Sequence, residues 1–486
     1  MNMETWNVLG EAQTQRLRKA AWEFLERTGV TVQHAGLLGA ARASGALVDE
    51  ASGRVRIPAA LAAELMARVP ASYTIRNLLG ETWEVGGDRQ LGLAIVTDPW
   101  IIDYATLQPR RPCLEDLRRN TIVANQLAPV AAISCMDFPV TDVSGPSSNL
   151  RALEMHLLHH SRHYVVMAAS AESLTAWLDL ARLIVSAGET ESDGAGRCPD
   201  LRGLLTVAVA SGSPLHLNEV NGDLLLMAIE NGFAIQPTVC PMAGSTAPYS
   251  LAGTLLQSHL EVLMITLLAQ MVRPGSPVLY ASGLSVTDLR NAADLYYTLD
   301  KVLWKIASVE LAKAERMPAM AECGGTMTHR HDPQAGAEGM LFMMAAKASG
   351  ADLLSGLGSC HNAIGMSAEM MVIQDAYLRG AAHVTRGIVV DDARLALESL
   401  RLAGPGKHFL EDDLTLELMR SDEFFRDPIF DLSGGHGLGK SMLERAHQRV
   451  EELVAKFKNP VPETVQEAIR RHFHDRSIAV ERGTAS

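Results

Sequence analysis

Cysteine is scarce in this 486-residue sequence, basic residues are outnumbered, no apolar leader is evident, and no apolar run long enough to cross a bilayer is free of polar interruption. Each absence excludes something. The six cysteines, Cys113, Cys135, Cys198, Cys240, Cys323 and Cys360, have no regular spacing, which argues against a secreted disulfide framework and for a reducing, cytoplasmic setting. With 43 basic against 56 acidic residues and a formal net charge of -13, nucleic acid and anionic membrane are disfavoured as partners. The opening MNMETWNVLGEAQTQRLRKA has neither an apolar core nor a small-residue cleavage site, so no signal peptide is expected. The most apolar stretch, Ser250 to Val272, contains Gln257, His259, Glu261 and Gln270 and reads as a buried helix of a soluble protein, with Glu261 paired at a subunit interface or with Arg273.

What is present is a 47% apolar chain able to bury a large core. Its most informative stretch is Met320 to Asn362, MAECGGTMTHRHDPQAGAEGMLFMMAAKASGADLLSGLGSCHN. It reads as a short strand ending at Glu322-Cys323, a glycine turn, and a polar loop with His329, Arg330 and His331. A helix capped by Asp332, with Pro333 in its first turn and Gly350 past its end, comes next. A second strand, Ala351 to Ser355, then leads to Ser359, Cys360, His361 and Asn362. This is one βα repeat of a parallel sheet, with reactive side chains gathered where both strands finish.

Similar apolar runs recur at Ala131 to Met136, Tyr164 to Ala168, Leu204 to Val209, Ala234 to Val239, Pro277 to Ala281 and Ala319 to Ala321. With Ala351 to Ser355 they predict a (β/α)8 TIM barrel over 121–412, since no GxGxxG turn marks a doubly wound sheet. The eighth strand has two candidates, Gly387 to Val390 and Lys407 to Leu410. Residues 1–120 alternate small helices with hairpins at Val48 to Ile57 and Ser72 to Val85 and read as an appendage. Residues 413–486 read as a C-terminal helical extension that packs on the barrel or on a second subunit, and a homo-oligomer is expected.

Four stretches carry a family resemblance: GALVDEASGRVRIPAALAAELMARVP at 45–70, CPMAGSTAPYSLAGTLLQSHLEVLMITLLAQMVRPGSPVLY at 240–280, DPQAGAEG at 332–339 and GPGKHFLEDDLTLE at 404–417. The chain resembles the trimethylamine methyltransferase (MttB-like) superfamily, in particular its pyrrolysine-free branch with the glycine betaine:corrinoid methyltransferases. Lys407 stands where that family usually has a second glycine, and Leu414 where it has a histidine. The resemblance implies a TIM barrel that moves a methyl group from a methylated amine to Co(I) of cobalamin, a corrinoid carried by a separate protein docked over the barrel mouth. It also implies that the position of pyrrolysine in the trimethylamine enzymes falls near Thr328 to His331.

A quaternary ammonium leaves as a neutral amine, so the protein must hold a cation and aim one methyl group. Aromatic faces and carboxylates suit the cation, and Arg or His suits a betaine carboxylate. The residues expected at the chemistry are therefore His331, Glu322 and Asp137. Those expected to bind substrate are His361, Asn362, Phe138, Tyr249, Trp100 and Arg330. Two other readings stay open. One is a thiolate zinc site built from the strand-end Cys135, Cys240, Cys323 and Cys360 and serving another methylated molecule. The other is a barrel that binds a betaine without turning it over.

Overall fold

Strand and helix alternate around a closed barrel in the computed structural model, which describes residues 5–135, 140–145, 148–188, 200–437 and 439–481. Seven strands run parallel: β1 (Leu91–Ile95), β2 (Val130–Cys135), β3 (His163–Val166), β4 (Leu205–Ala210), β5 (Ala234–Thr238), β6 (Met320–Glu322) and β7 (Leu353–Leu357). They pair in the order β5-β4-β3-β2-β1-β7-β6. The segment 278–280 joins the two ends, with Val278 opposite Ile235 and Tyr280 opposite Ala319. That segment is the eighth stave, and the expected (β/α)8 barrel is closed.

Neither candidate for the missing strand is one. Gly387–Val390 and Lys407–Leu410 are irregular, and the strand is instead Leu91–Ile95, upstream of residue 120. Its sequence, LGLAI, is as apolar as the others but follows closely on the 72–85 hairpin and so reads as part of that hairpin region. Gly92 suits the crowded pairing with β2, because a Cβ there would lie 2.8 Å from the Pro129 carbonyl oxygen.

The Met320 to Asn362 stretch folds much as its residues dictate. Asp332 caps the helix Pro333–Ala348 by accepting from the Gln334 and Ala335 amides, and Gly350 follows in a left-handed conformation. The second strand begins two residues later than expected, at Leu353.

The expected hairpin at 72–85 forms, with Tyr73–Arg76 antiparallel to Thr82–Val85. It closes the N-terminal end of the barrel. Ile75 and Val85 pack with Leu91, Val165, Leu279 and Leu353 in an apolar cluster separate from the main core. The Arg76 amide donates to the Gly203 carbonyl at 2.7 Å, and His163 Nδ1 lies 3.1 Å from the Arg76 carbonyl, which pins the hairpin to the strand starts.

Helix Leu251–Val272 is long and apolar enough to cross a membrane, but 78% of its most apolar window is buried inside the fold. The small N-terminal helices Glu11–Arg27, Ala35–Ala43 and Ala59–Met66 lie against it. Glu261, expected to meet Arg273 or a subunit interface, instead accepts from the Ser211 and Ser213 hydroxyls, the Leu215 amide and the Gln257 amide group. The loop after β4 folds over the carboxylate and supplies local donors, so no distant cation is needed. Helix Met442–Ala455 packs on Ala368–Arg386 and Leu114–Gln126, and helix Glu463–Glu481 packs on Ala171–Gly188.

Candidate active site at the mouth of the barrel

A cavity of about 330 Å³ opens where the strands end, between the residues that close β1, β5, β6 and β7. Its size suits a small ligand. Its position follows from the barrel itself, since the loops beyond the carboxyl ends of the strands are the part free to vary.

Glu322, the last residue of β6, is at the centre of its polar wall. The Tyr296 hydroxyl donates to Glu322 Oε1 at 2.7 Å, and Lys301 Nζ lies 2.9 Å from Oε2. Lys301 is only 2% exposed; it also donates to the Leu284 carbonyl and sits over the Tyr296 ring. Burial pushes the Glu322 carboxyl up, yet the two nearby lysines and the donated hydrogen bonds outweigh it and hold it below the usual carboxylate range. Lys301 in turn is lowered by burial, partly offset by Glu322. Lys305 is also buried, with Nζ 4.1 Å from the Phe342 ring centroid and no hydrogen-bond partner. Burial brings its ammonium down to about 7.

Asp98, three residues past β1, is 2% exposed, faces the cavity, and has no hydrogen-bond partner for Oδ2. Burial alone pushes its carboxyl well above the usual range. Asp294 also lines the cavity with an unpartnered Oδ1. Tyr296 and Tyr297 stand edge to face with ring centroids 5.1 Å apart, and the Tyr297 hydroxyl donates to Ser359 Oγ at 3.2 Å. Two glycines make room for the pair. A Cβ at Gly325, whose φ is +122°, would lie inside the Tyr297 ring, and one at Gly283 would overlap the Tyr296 hydroxyl.

Two of the residues expected from the sequence, Glu322 and Asn362, line this cavity. Residues 361–363 all adopt left-handed backbone conformations, and Asn362 uses its side chain to hold the wall: Oδ1 accepts from the Tyr296 amide at 2.8 Å and Nδ2 donates to the Asp294 carbonyl at 2.6 Å. His361 stands at the rim beside His329 and Trp100, with centroid distances of 5.3 and 6.5 Å, and Arg111 stacks on Trp100.

His331 does not line the cavity. Its Nε2 lies 3.5 Å from Ser367 Oγ, in a polar cluster with Glu369 and His447, and burial lowers its imidazole. Tyr249 is 64% exposed before helix Leu251–Val272, and Arg330 is exposed with its amide on Thr328 Oγ1. Asp137 and Phe138 lie outside the described residues.

The expected thiolate zinc site from Cys135, Cys240, Cys323 and Cys360 does not form among the described residues. Cys323 donates to the Ser355 carbonyl at 3.1 Å, Cys360 is buried, and Cys240 faces the cavity. Among the described residues no group of three or more His, Cys, Asp or Glu side chains is placed to hold a metal ion.

Sequence reading missed Asp98, Asp294, Tyr296, Tyr297 and Lys301. Asp98 had a usable signal, because TDP after LGLAIV is the same strand-end pattern as elsewhere. The tyrosines belong to a short insertion, with antiparallel strands Ser285–Asp288 and Ala293–Leu295, that has no counterpart in a plain βα repeat.

The family model described as trimethylamine methyltransferase (MTTB) matches residues 1–480. A glycine betaine methyltransferase of Desulfitobacterium hafniense (strain Y51) is 25% identical over 460 residues, 94% of each chain. A proline betaine:corrinoid methyltransferase of Eubacterium limosum is 26% identical over 274 residues, 54% of this chain and 55% of that one. Among solved structures, the hydroxylamine complex of MtmB superposes with a TM-score of 0.51 at 14% identity, covering 92% of this chain and 89% of that one.

Proposed function

Since this chain belongs to the trimethylamine methyltransferase (MTTB) family, we propose that it takes a methyl group from a methylated ammonium compound of about the size of glycine betaine and passes it to the corrinoid of a separate protein. The observation that carries the reading is the buried, unpartnered carboxylate of Asp98 in a cavity walled by Tyr296 and Tyr297 at the barrel mouth. A quaternary ammonium cannot donate a hydrogen bond, so it is held by negative charge and aromatic surface; Tyr296 and Tyr297 offer the surface, and a bound cation would offset the burial that disfavours ionised Asp98.

A corrinoid carrier would meet the ligand at the rim of the cavity. Ile364 lines the cavity yet is 43% exposed, so apolar surface frames an opening through which ligand and acceptor can meet. The corrinoid supplies the nucleophile. The C–N bond breaks with its electron pair left on nitrogen, so the product is a neutral amine and no side chain need give a proton. What the chain contributes is position. Glu322, fixed by Lys301 and Tyr296, and Asn362, fixed across the loops, keep the walls rigid around the ammonium group.

Anaerobic incubation of the protein with free cob(I)alamin and a panel of methylated ammonium compounds tests this directly. Methylated cobalamin is expected from at least one quaternary compound at a rate at least tenfold over the protein-free control. Binding without any methyl transfer to free or protein-bound corrinoid would instead make the barrel a receptor.

A further inference from the structure

We propose that this cavity selects a methylated ammonium cation that has no carboxylate of its own, a choline-like or tetramethylammonium-like ligand, over zwitterionic betaines. The inference rests on the function proposed above and narrows its substrate class.

The charges on the wall point one way. Asp98, Asp294 and Glu322 line the cavity, and among the described residues no Lys, Arg or His does. The nearest cation, Lys301, is already held by Glu322 and by the Leu284 carbonyl. Lys305 stands behind the wall against Phe342 and outside the lining. A betaine needs a second, positive subsite for its carboxylate; the lining offers none, and Arg111, His329 and His361 stand outside it at the rim.

The hydrogen-bonding capacity is as one-sided as the charge. Five donors on the wall are committed: Tyr296 to Glu322, Tyr297 to Ser359, Asn362 to the Asp294 carbonyl, Ser134 to the Val165 carbonyl and Ser282 to Ser308. Among the described lining residues, the buried polar atoms left without a hydrogen-bond or ion-pair partner are mostly carboxyl and amide oxygens: Asp98 Oδ2, Asp294 Oδ1 and Gln236 Oε1. Thr238 Oγ1, a neutral hydroxyl, can donate. A ligand carboxylate would be buried beside Glu322 and Asp294 with no cation in the lining to pair with it. A quaternary cation loses little hydration and would favour ionisation of the buried Asp98 carboxyl, and a choline-like hydroxyl could donate to the free oxygens.

Calorimetric titration of the full-length protein with choline, tetramethylammonium, glycine betaine and the neutral choline isostere 3,3-dimethyl-1-butanol, with no corrinoid present, provides the test. Choline is expected to bind at least tenfold tighter than both glycine betaine and the neutral isostere. Asp98→Asn, shown by circular dichroism to be folded, is expected to weaken choline at least tenfold and glycine betaine less than threefold. The same ligands are then offered with cob(I)alamin. Glycine betaine binding as tightly as choline, or an Asp98→Asn variant that keeps its choline affinity, would overturn the proposal. If betaines alone donate a methyl group, the selectivity fails while the methyltransferase reading stands. If no ligand of either class binds or donates, that reading itself fails and takes the selectivity with it.

Discussion

The two ends of the barrel are built from opposite materials. At the N-terminal end a hairpin inserts Ile75 and Val85 among Leu91, Val165, Leu279 and Leu353, so that end is sealed by apolar burial. At the C-terminal end Gln236, Glu322 and Ser355 on the strands and Asp98 just past β1 surround an open cavity. A residue at the sealed end contributes stability through packing, whereas a buried charge at the open end costs stability unless a partner offsets it. The contrast assigns stability to one end and ligand recognition to the other.

The strongest way to break that division is Glu322→Ala. Lys301 would be left buried without its anion, and a loss of roughly 3–5 kcal/mol is expected from urea unfolding, together with loss of methyl transfer. A stability change within experimental error would show that Lys301 does not depend on Glu322.

Ile75→Ala sharpens the contrast from the sealed end. It should cost about 2–4 kcal/mol while ligand affinity of the folded protein stays within threefold. A larger change in affinity would mean that the plug and the mouth are mechanically coupled.

The smallest effect expected is a gain. Lys305 is buried with an ammonium lowered to about 7, below its value of about 10.4 in an unfolded chain. The unfolded state therefore binds the proton more tightly, and stability is lost as pH falls from about 10 toward 7. Lys305→Met should raise stability by roughly 1–3 kcal/mol at neutral pH, and less at pH 10, as read from thermal melts across that range. An equal gain at every pH would place the benefit in packing rather than in proton binding.

Much of the architecture was legible before the structure. Strand runs ending in polar residues, the Asp332 cap and the hairpin at 72–85 all form where the residues place them, because each depends on neighbours close in the chain. The first strand was not, since Leu91–Ile95 becomes a stave only by pairing with β2 and β7, and the latter lies some 260 residues away. At the site, Glu322 and Asn362 were recognisable as strand-end residues. Tyr296, Tyr297 and Lys301 were not, because they lie in and just after an insertion whose direction toward the cavity is set by the Asn362 side chain.

The sequence by itself determined the alternation of strand and helix, the family, and the gathering of reactive residues after Glu322 and Leu357. Only the tertiary structure decided that Asp98 stays unpaired while Glu322 takes Lys301 and Tyr296. The physical reason is that periodicity tells which face of an element is buried, whereas the partner a buried charge meets depends on which distant strands the barrel brings side by side.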